Sequence, residues 1–183
     1  MATMTLLAPA PGASVPTIPP MSPPVSVAQP AVLALDFGAA TGWALHARDG
    51  HITSGTAEFR NDRWQGGGMR FLRFRQWLTE VKHASDGLDR VVYEQVRRHA
   101  GVDASHAYGG WLAILTAWCE HHVIPYEGVP VGTIKRFATG RGNADKAAMI
   151  AAMRARGFTP ADDNEADALA LLLWAIDSQG GAA

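Results

Sequence analysis

The stretch Ala31-Val32-Leu33-Ala34-Leu35 is wholly apolar and runs directly into Asp36-Phe37-Gly38. An apolar run of this length without alternation is typical of a strand that is buried on both faces of a sheet. A carboxylate at the end of such a strand is costly unless another charge compensates it. Asp36 therefore indicates a site at a strand end, although an aspartate that begins a turn is an open alternative for this residue alone.

Two further acids lie in similarly apolar surroundings. Glu94 belongs to Arg90-Val91-Val92-Tyr93-Glu94-Gln95-Val96, a predicted strand in which a solvent-facing glutamate is also a reasonable interpretation. Asp167 lies in Ala166-Asp167-Ala168-Leu169, beyond the first turn of a predicted helix, where neither capping nor solvation accounts for it. Three carboxylates in apolar elements suggest one shared cation, with Mg²⁺ as the expected ion.

Helical periodicity supplies a fourth oxygen donor. Asp163 precedes Asp167 by four residues and Asn164 precedes it by three, so either can share its face of the helix. Oxygen donors without a Cys/His cluster favour Mg²⁺ or Mn²⁺ over zinc. Acids drawn from separate elements suit two-metal phosphodiester hydrolysis, in which the ions lie about 4 Å apart.

Composition divides the chain into two parts. Residues 1–30 hold eight of the eleven prolines and no Lys, Arg, Asp or Glu, which predicts a disordered Ala/Pro-rich tail. Residues 31–178 suit one domain with a sizeable core.

The net charge of -1 excludes a uniformly basic nucleic-acid binder but allows local basic patches. The single cysteine, Cys119, fits a reducing compartment, and no apolar stretch is long enough to span a bilayer.

Hydrophobic periodicity predicts an α/β domain with a mixed sheet. Strands are expected at 31–37, 42–47, 53–59, 88–96 and 123–129, with a hairpin turn at Asp49-Gly50. Helices are expected after Gly66-Gly67-Gly68 and at 104–121, 143–156 and 163–177. We expect the last helix to pack across the sheet, opposite the strand ends that carry Asp36 and Glu94.

Four segments in order resemble the RuvC-type Holliday junction resolvases, and their abbreviated pattern is more similar to the resolvases of phages and prophages. Leu35-Asp36-Phe37-Gly38 with Thr41-Gly42 resembles the first strand and turn of the family, and Tyr93-Glu94-Gln95-Val96 resembles the strand with its second acid. Residues 135–146 resemble its basic segment, and residues 163–169 resemble its closing acidic helix. The resemblance runs from about Leu33 to Trp174 and implies a ribonuclease H-like fold, a mixed sheet flanked by helices.

The resemblance also implies an activity. It implies an endodeoxyribonuclease of a bacterial or phage-infected cytoplasm, a homodimer that resolves four-way junctions with paired symmetric nicks. Two Mg²⁺ ions per site are expected, with Mn²⁺ able to substitute. The implied metal ligands and catalytic acids are Asp36, Glu94, Asp167 and, in preference to Asn164, Asp163. Lys135 and Lys146 match family lysines near the scissile phosphate, and the resemblance implies phosphate contact or transition-state charge stabilisation for them; an ordinary solvated lysine is the alternative for each.

Basic residues cluster around the predicted acidic centre. Where the family often has an aromatic residue after the second acid, this chain has Arg97-Arg98-His99, which favours contact with the DNA backbone. We expect a glycine-rich turn at residues 139–142 to offer backbone amides to a phosphate. A further basic group at residues 60–73 is explained nearly as well by a solvated helix face. The predicted DNA-binding residues are Arg97, Arg98, Lys135, Arg136, Arg141 and Lys146.

One apolar stripe has two interpretations. In the predicted helix at 104–121, aromatic and aliphatic residues recur at intervals of three or four, so they suit either a dimer interface or an ordinary core face. These residues are Tyr108, Trp111, Leu115 and Trp118.

Three other functions compete with a junction resolvase. A flap endonuclease, a broader branched-DNA endonuclease or a ribonuclease H would share the fold and the acids. An actin-like ATPase also begins with Asp-Phe-Gly and Thr-Gly, but it needs a second nucleotide loop and a second domain, for which this chain has no room. A non-catalytic junction-binding protein is favoured only by Asn164, against three retained acids.

Overall fold

A five-stranded mixed sheet forms the centre of the computed structural model, which describes residues 29–96 and 101–180. The strands are β1 (Val32–Asp36), β2 (Ala40–His46), β3 (Ile52–Glu58), β4 (Arg90–Gln95) and β5 (Tyr126–Pro130). The helices are α1 (Met69–Ala84), α2 (Val102–His122), α3 (Val131–Thr139), α4 (Lys146–Ala155) and α5 (Asp163–Gly180). The strand order is β3-β2-β1-β4-β5, with β1–β2 and β2–β3 antiparallel and β1–β4 and β4–β5 parallel.

Both faces of the sheet are covered, which explains why β1 is apolar throughout. Val32 and Ala34 pack into a core formed with α3, α4 and α5, whereas Leu33 and Leu35 pack into a second core formed with α1 and α2. Successive side chains of a strand point to opposite faces, so each residue of β1 needs an apolar partner. The predicted α/β fold, a mixed sheet flanked by helices, is confirmed.

Helix α5 lies across the sheet, as the sequence predicts, and most of its apolar residues are buried. Leu169, Leu171 and Leu172 belong to the core on that face of the sheet. The apolar middle of this helix contacts β1 and β2 below it and α3 and α4 beside it.

The apolar stripe of α2 belongs mainly to the core. Trp111, Leu115 and Trp118 are buried against α1 and the sheet, and only Tyr108 is half-buried. Phe74 of α1 packs edge-on against Trp111, with ring centroids 5.2 Å apart. Of the two interpretations of this stripe, the core face is correct for these three residues, and a dimer interface built on them is wrong because they have no free surface.

Helix α3 is the one described element that the sequence analysis did not predict. Gly140 ends it in the left-handed region, with φ 80°, and its amide donates to the carbonyl of Arg136. The amide of Arg141 donates to Thr139 Oγ1 at 3.2 Å. The expectation that the turn at 139–142 offers its amides to a phosphate is therefore wrong for these two groups, because the turn ends a helix rather than beginning one.

Three further expectations concern the hairpin turn, a membrane span and the N-terminal tail. The Asp49-Gly50 hairpin turn is present, with Gly50 at φ 86° and its amide donating to Ala47. Within the two described segments, no helix combines the length and the apolar character needed to cross a bilayer. The predicted tail at residues 1–30 lies almost wholly outside the described residues, so its disorder stays a prediction.

Candidate active site

Asp36 and Glu94 lie side by side at the ends of two parallel strands. The register pairs Leu35 of β1 with Tyr93 of β4, so Asp36 and Glu94 are the next residues on neighbouring strands. Val92, two residues before Glu94, faces the core under α5, and alternation along a strand directs Glu94 to the same face. Both carboxylates therefore project toward the helix that carries the other two acids.

Gly42 allows the first turn of α5 to approach these strand ends. Gly42 of β2 is the pairing partner of Asp36, and a Cβ built on it would lie only 2.0 Å from the carbonyl oxygen of Asn164. A side chain at this position would therefore displace the helix. The same close contact places Asp163 and Asp167, on either side of Asn164 in the chain, beside Asp36.

Hydroxyl groups of the edge strand β3 hold this turn of α5 from the other side. Asp162 is the N-cap: its Oδ1 accepts from the amide of Glu165 and from Thr56 Oγ1, each at 2.8 Å. Glu165 accepts from Ser54 Oγ at 2.6 Å and, through its other oxygen, from the amide of Ala161 at 2.8 Å. These two acids are thus used to fix the start of the helix and not to form the site.

The candidate acids are buried and lie close enough for their charges to act on one another. Burial raises the pKa of Asp36 well above its usual range, and the charges of Glu94, Asp167 and Asp163 raise it further. Burial and the charge of Asp167 raise the pKa of Glu94 to about 7. Burial raises the pKa of Asp167 to about 6, with a further contribution from Asp163. The site therefore holds more negative charge than its own cations balance.

Asp167 also has an oxygen that suits a cation. Its Oδ1 is buried and accepts no hydrogen bond from any described residue. A buried carboxylate oxygen without a donor is costly, and a bound metal ion would satisfy it. The donor set fits a hard divalent cation, because it consists of carboxylates from β1, β4 and α5. In the described segments, no three acidic, His or Cys side chains already form a ready coordination group, so the assignment of ligands stays a prediction.

Two lysines face this acidic cluster from the α3–α4 region. Lys135 of α3 is half-buried, and its Nζ donates to the carbonyl of Ala144 at 2.8 Å. Its charge lowers the pKa values of Glu94 and Asp167. Lys146, at the start of α4, is exposed and forms an ion pair with Asp163, which lowers the pKa of that aspartate.

Of the other predicted DNA-binding residues, two are exposed and two lie outside the described residues. Arg136 and Arg141 are exposed, on α3 and in the loop that follows it. They lie in the same segment of the chain as Lys135. Arg97 and Arg98 lie outside the described residues.

A cavity opens beside the two strand-end acids, and the sequence analysis did not predict it. It has a volume of about 310 Å³, with Asp36 and Glu94 at one side. Tyr108 of α2 fixes this edge of β4, because its hydroxyl donates to the carbonyl of Glu94 at 3.0 Å and accepts from the amide of Val96 at 3.3 Å. The further lining residues are Phe37, Gly38, Ala39, Arg70, Ala104, Ala107 and Trp111.

The sequence carried weak signals for the residues that it did not single out. Ser54 and Thr56 alternate along a strand, as hydroxyls on one face of a sheet do. Gly42 follows Thr41 in a strand interior, where glycine often marks a close backbone contact. Neither signal identifies the partner, which lies more than a hundred residues away in the chain.

Solved structures of similar shape include two of RuvC from T. thermophilus. The structure described as this RuvC in complex with Holliday junction substrate has a TM-score of 0.68 and 20% identity, with 84% of this chain and 97% of that chain covered. A second T. thermophilus RuvC structure has a TM-score of 0.63 and 20% identity, covering 82% and 96%. The yeast mitochondrial Holliday junction resolvase Ydc2 has a TM-score of 0.53 and 11% identity, covering 76% and 75%.

No protein-family model and no curated protein matches this chain. The structural similarity shows that the chain has a ribonuclease H-like fold. Within that class, its arrangement of strands and helices is that of the RuvC structures. The resemblance drawn from the sequence is thus confirmed for the fold.

Proposed function

We propose that this protein is a metal-dependent, structure-selective endodeoxyribonuclease that resolves four-way DNA junctions by paired symmetric nicks. The observation that carries the proposal is the convergence of Asp36, Glu94 and Asp167, from three separate elements, on one end of the sheet, where burial raises the pKa of each. Acidic groups crowded in this way at the strand ends of a RuvC-like fold suit phosphodiester hydrolysis.

The metal ligands are Asp36, Glu94 and Asp167, with Asp163 as the fourth. Two bound Mg²⁺ ions, or Mn²⁺ in their place, would supply activation of a water and stabilisation of the leaving oxygen. Asp163 is favoured over Asn164 because the charge of Asp163 raises the pKa values of Asp36 and Asp167. Asn164 instead packs its backbone against Gly42.

The lysines orient the DNA strand and balance charge. Lys135, anchored on the Ala144 carbonyl, holds a fixed positive charge next to Glu94 and Asp167. Lys146 is exposed and paired with Asp163, so it can exchange that carboxylate for a phosphate when DNA and metal enter. Arg97, Arg98, Arg136 and Arg141 are proposed as further contacts to the DNA backbone.

The substrate determines the assembly. A four-way junction has two-fold character and two symmetric cuts need two active sites, so we propose a homodimer with C2 symmetry. Trp111, Leu115 and Trp118 of α2 are buried in the core, so we place the dimer interface on another surface. A cytoplasmic location is part of the same proposal, because the single cysteine and the DNA substrate fit it.

The test is a cleavage panel with the wild type and the Asp36→Asn variant. Four-way junctions, flaps, RNA–DNA hybrids and linear duplexes are incubated with each protein in Mg²⁺ or Mn²⁺, and the products are mapped on sequencing gels. We expect matched nicks near the branch point of the four-way junction, lost in Asp36→Asn while junction binding persists. Cleavage of flaps or hybrids in preference to junctions would assign a different nuclease of this fold, and unchanged cleavage by Asp36→Asn would refute the mechanism.

A further inference from the structure

We infer that the cavity beside Asp36 and Glu94 receives one unstacked nucleotide of the DNA strand next to the cleaved phosphodiester, with Arg70 on its phosphate. This inference rests on the proposed nuclease function and adds a subsite to it. The cavity volume of about 310 Å³ lies at the lower end of the range for ligand pockets, about 300–1,000 Å³. It suits a single nucleotide and not a stacked base pair.

The walls of the cavity have the chemistry of a base-binding pocket. Phe37 and Tyr108 line the cavity and pack against each other edge to face, with ring centroids 5.8 Å apart, and the buried ring of Trp111 also lines it. Aromatic side chains bind unstacked bases by stacking, because every base has a π-face. Ala104 and Ala107 of α2 are small enough to leave the space open.

Arg70 supplies the only cationic side chain among the described lining residues of this cavity. Its Nε is buried and finds no hydrogen-bond acceptor within the described segments. A buried guanidinium donor without an acceptor is costly in the free protein, so the Arg70 side chain gains by turning its Nε toward a phosphate oxygen in the cavity. The charge of Arg70 is thus complementary to a nucleotide and not to an apolar ligand.

Packing between α1 and α2 holds Arg70 in this place. Phe71 lies so close to Gly110 that a Cβ there would stand 2.4 Å from its ring, and the Phe71 and Trp111 centroids are 4.8 Å apart. The Arg70 guanidinium lies 5.9 Å from the centroid of the Phe71 ring. The backbone at Arg70 is therefore held in place by the packing of its neighbour Phe71 against α2.

Two variants, each with a matched control, test the subsite. Ala104→Leu fills the cavity, and Ala113→Leu adds the same side chain at an exposed position of α2 outside it. Arg70→Gln removes the cation, and Arg75→Gln removes an exposed arginine of the same helix. Four-way junctions carry 2-aminopurine at one position at a time around the branch point, and its emission is measured on binding in Ca²⁺.

We expect the wild type to increase emission at one position next to the cut, because the base leaves its stack. Ala104→Leu and Arg70→Gln should lose this increase and slow single-turnover cleavage by about tenfold to a hundredfold. Arg70→Gln should also reduce the slope of log affinity against log salt by about one. Both controls should behave as the wild type does.

Two outcomes separate this inference from the nuclease proposal. Junction cleavage by the wild type without any emission increase, or with an increase that survives in Ala104→Leu, would overturn the subsite alone. An emission increase that depends on Arg70 and Ala104, without cleavage of any branched substrate, would support the subsite and overturn the nuclease.

Discussion

The backbone of Asn164 crosses Gly42 with no space for a side chain between them, since an added Cβ would lie 2.0 Å from the Asn164 oxygen and 2.3 Å from its carbonyl carbon. Because Gly42 is the pairing partner of Asp36, this contact joins the closing helix to the strand end where the first acid lies. Asp163 and Asp167 can therefore lie beside Asp36 because Gly42 has no Cβ.

Replacement of Gly42 by alanine should therefore damage both stability and activity. Overpacking against backbone atoms costs about 1–3 kcal/mol, so we expect the free energy of unfolding in urea to fall by that amount. Displacement of Asp163 and Asp167 should also slow junction cleavage more than tenfold. Gly109→Ala is the control: nothing lies within 4 Å of its added Cβ, and alanine in a helix should stabilise by about 0.5–1 kcal/mol. Wild-type stability in Gly42→Ala would contradict the contact.

Removal of the hydroxyl groups of β3 should loosen the start of α5. Thr56→Val keeps the shape of the side chain but leaves Asp162 without its donor, and hydrogen bonds to charged groups contribute about 1.5–3 kcal/mol. We expect a loss of this size in urea unfolding, a similar loss in Ser54→Ala, and weaker Mn²⁺ binding in both. Thr53→Val, on an exposed residue of the same strand, should change little. Equal effects at Thr53 and Thr56 would show that the hydroxyl groups do not hold the helix.

The metal-free protein should become less stable as pH rises from about 4 to about 7. Unfolded carboxyl groups ionise near pH 4, whereas Glu94 in the folded protein has a pKa of about 7 and Asp36 is raised in the same direction. In this window the folded state retains protons that the unfolded state has lost, so ionisation favours unfolding. Asp36→Asn should thus be more stable than the wild type by about 1–3 kcal/mol at pH 8 in EDTA.

The same comparison at pH 4 provides the control for this prediction. At pH 4 Asp36 is protonated in the folded state and only about half ionised in the unfolded state, so most of the advantage of Asp36→Asn should disappear. Urea unfolding at pH 4, 6 and 8 measures both effects. An advantage that is independent of pH would mean that charge repulsion is not its cause.

Divalent cations should reverse this instability. At a concentration one hundred times the dissociation constant, a ligand of the folded state adds about 2.7 kcal/mol to stability. We expect Mg²⁺ or Mn²⁺ to raise the Tm of the wild type more at pH 8 than at pH 5, because protonated carboxyl groups do not bind metal. Asp36→Asn and Glu94→Gln should lose the increase, and Asp177→Asn, exposed near the other end of α5, should retain it. The same increase in Asp36→Asn would remove that residue from the ligand set.

Local patterns in the sequence predicted most of the elements and the acids among them. The apolar residues around Asp36 and Asp167 were sufficient to single out these two acids as candidates, because a charge that is to be buried has apolar neighbours in the sequence. The α3 helix was missed because its nine residues include Gly132, two threonines and one valine, which are weak helix formers, and its stability comes from packing of Ile134 and Ala138. The stripe of α2 was ambiguous because periodicity alone does not tell a core from an interface.

The sequence by itself determined the sheet, the candidate acids and the order in which they occur, since these depend on periodicity and on neighbouring residues. Only the tertiary structure decided how the acids meet: through the Gly42–Asn164 contact, the hydroxyl groups of Ser54 and Thr56, and the cavity lined by Arg70. Such contacts join residues distant in the chain, and their energies depend on distances of a few ångströms that no local pattern records.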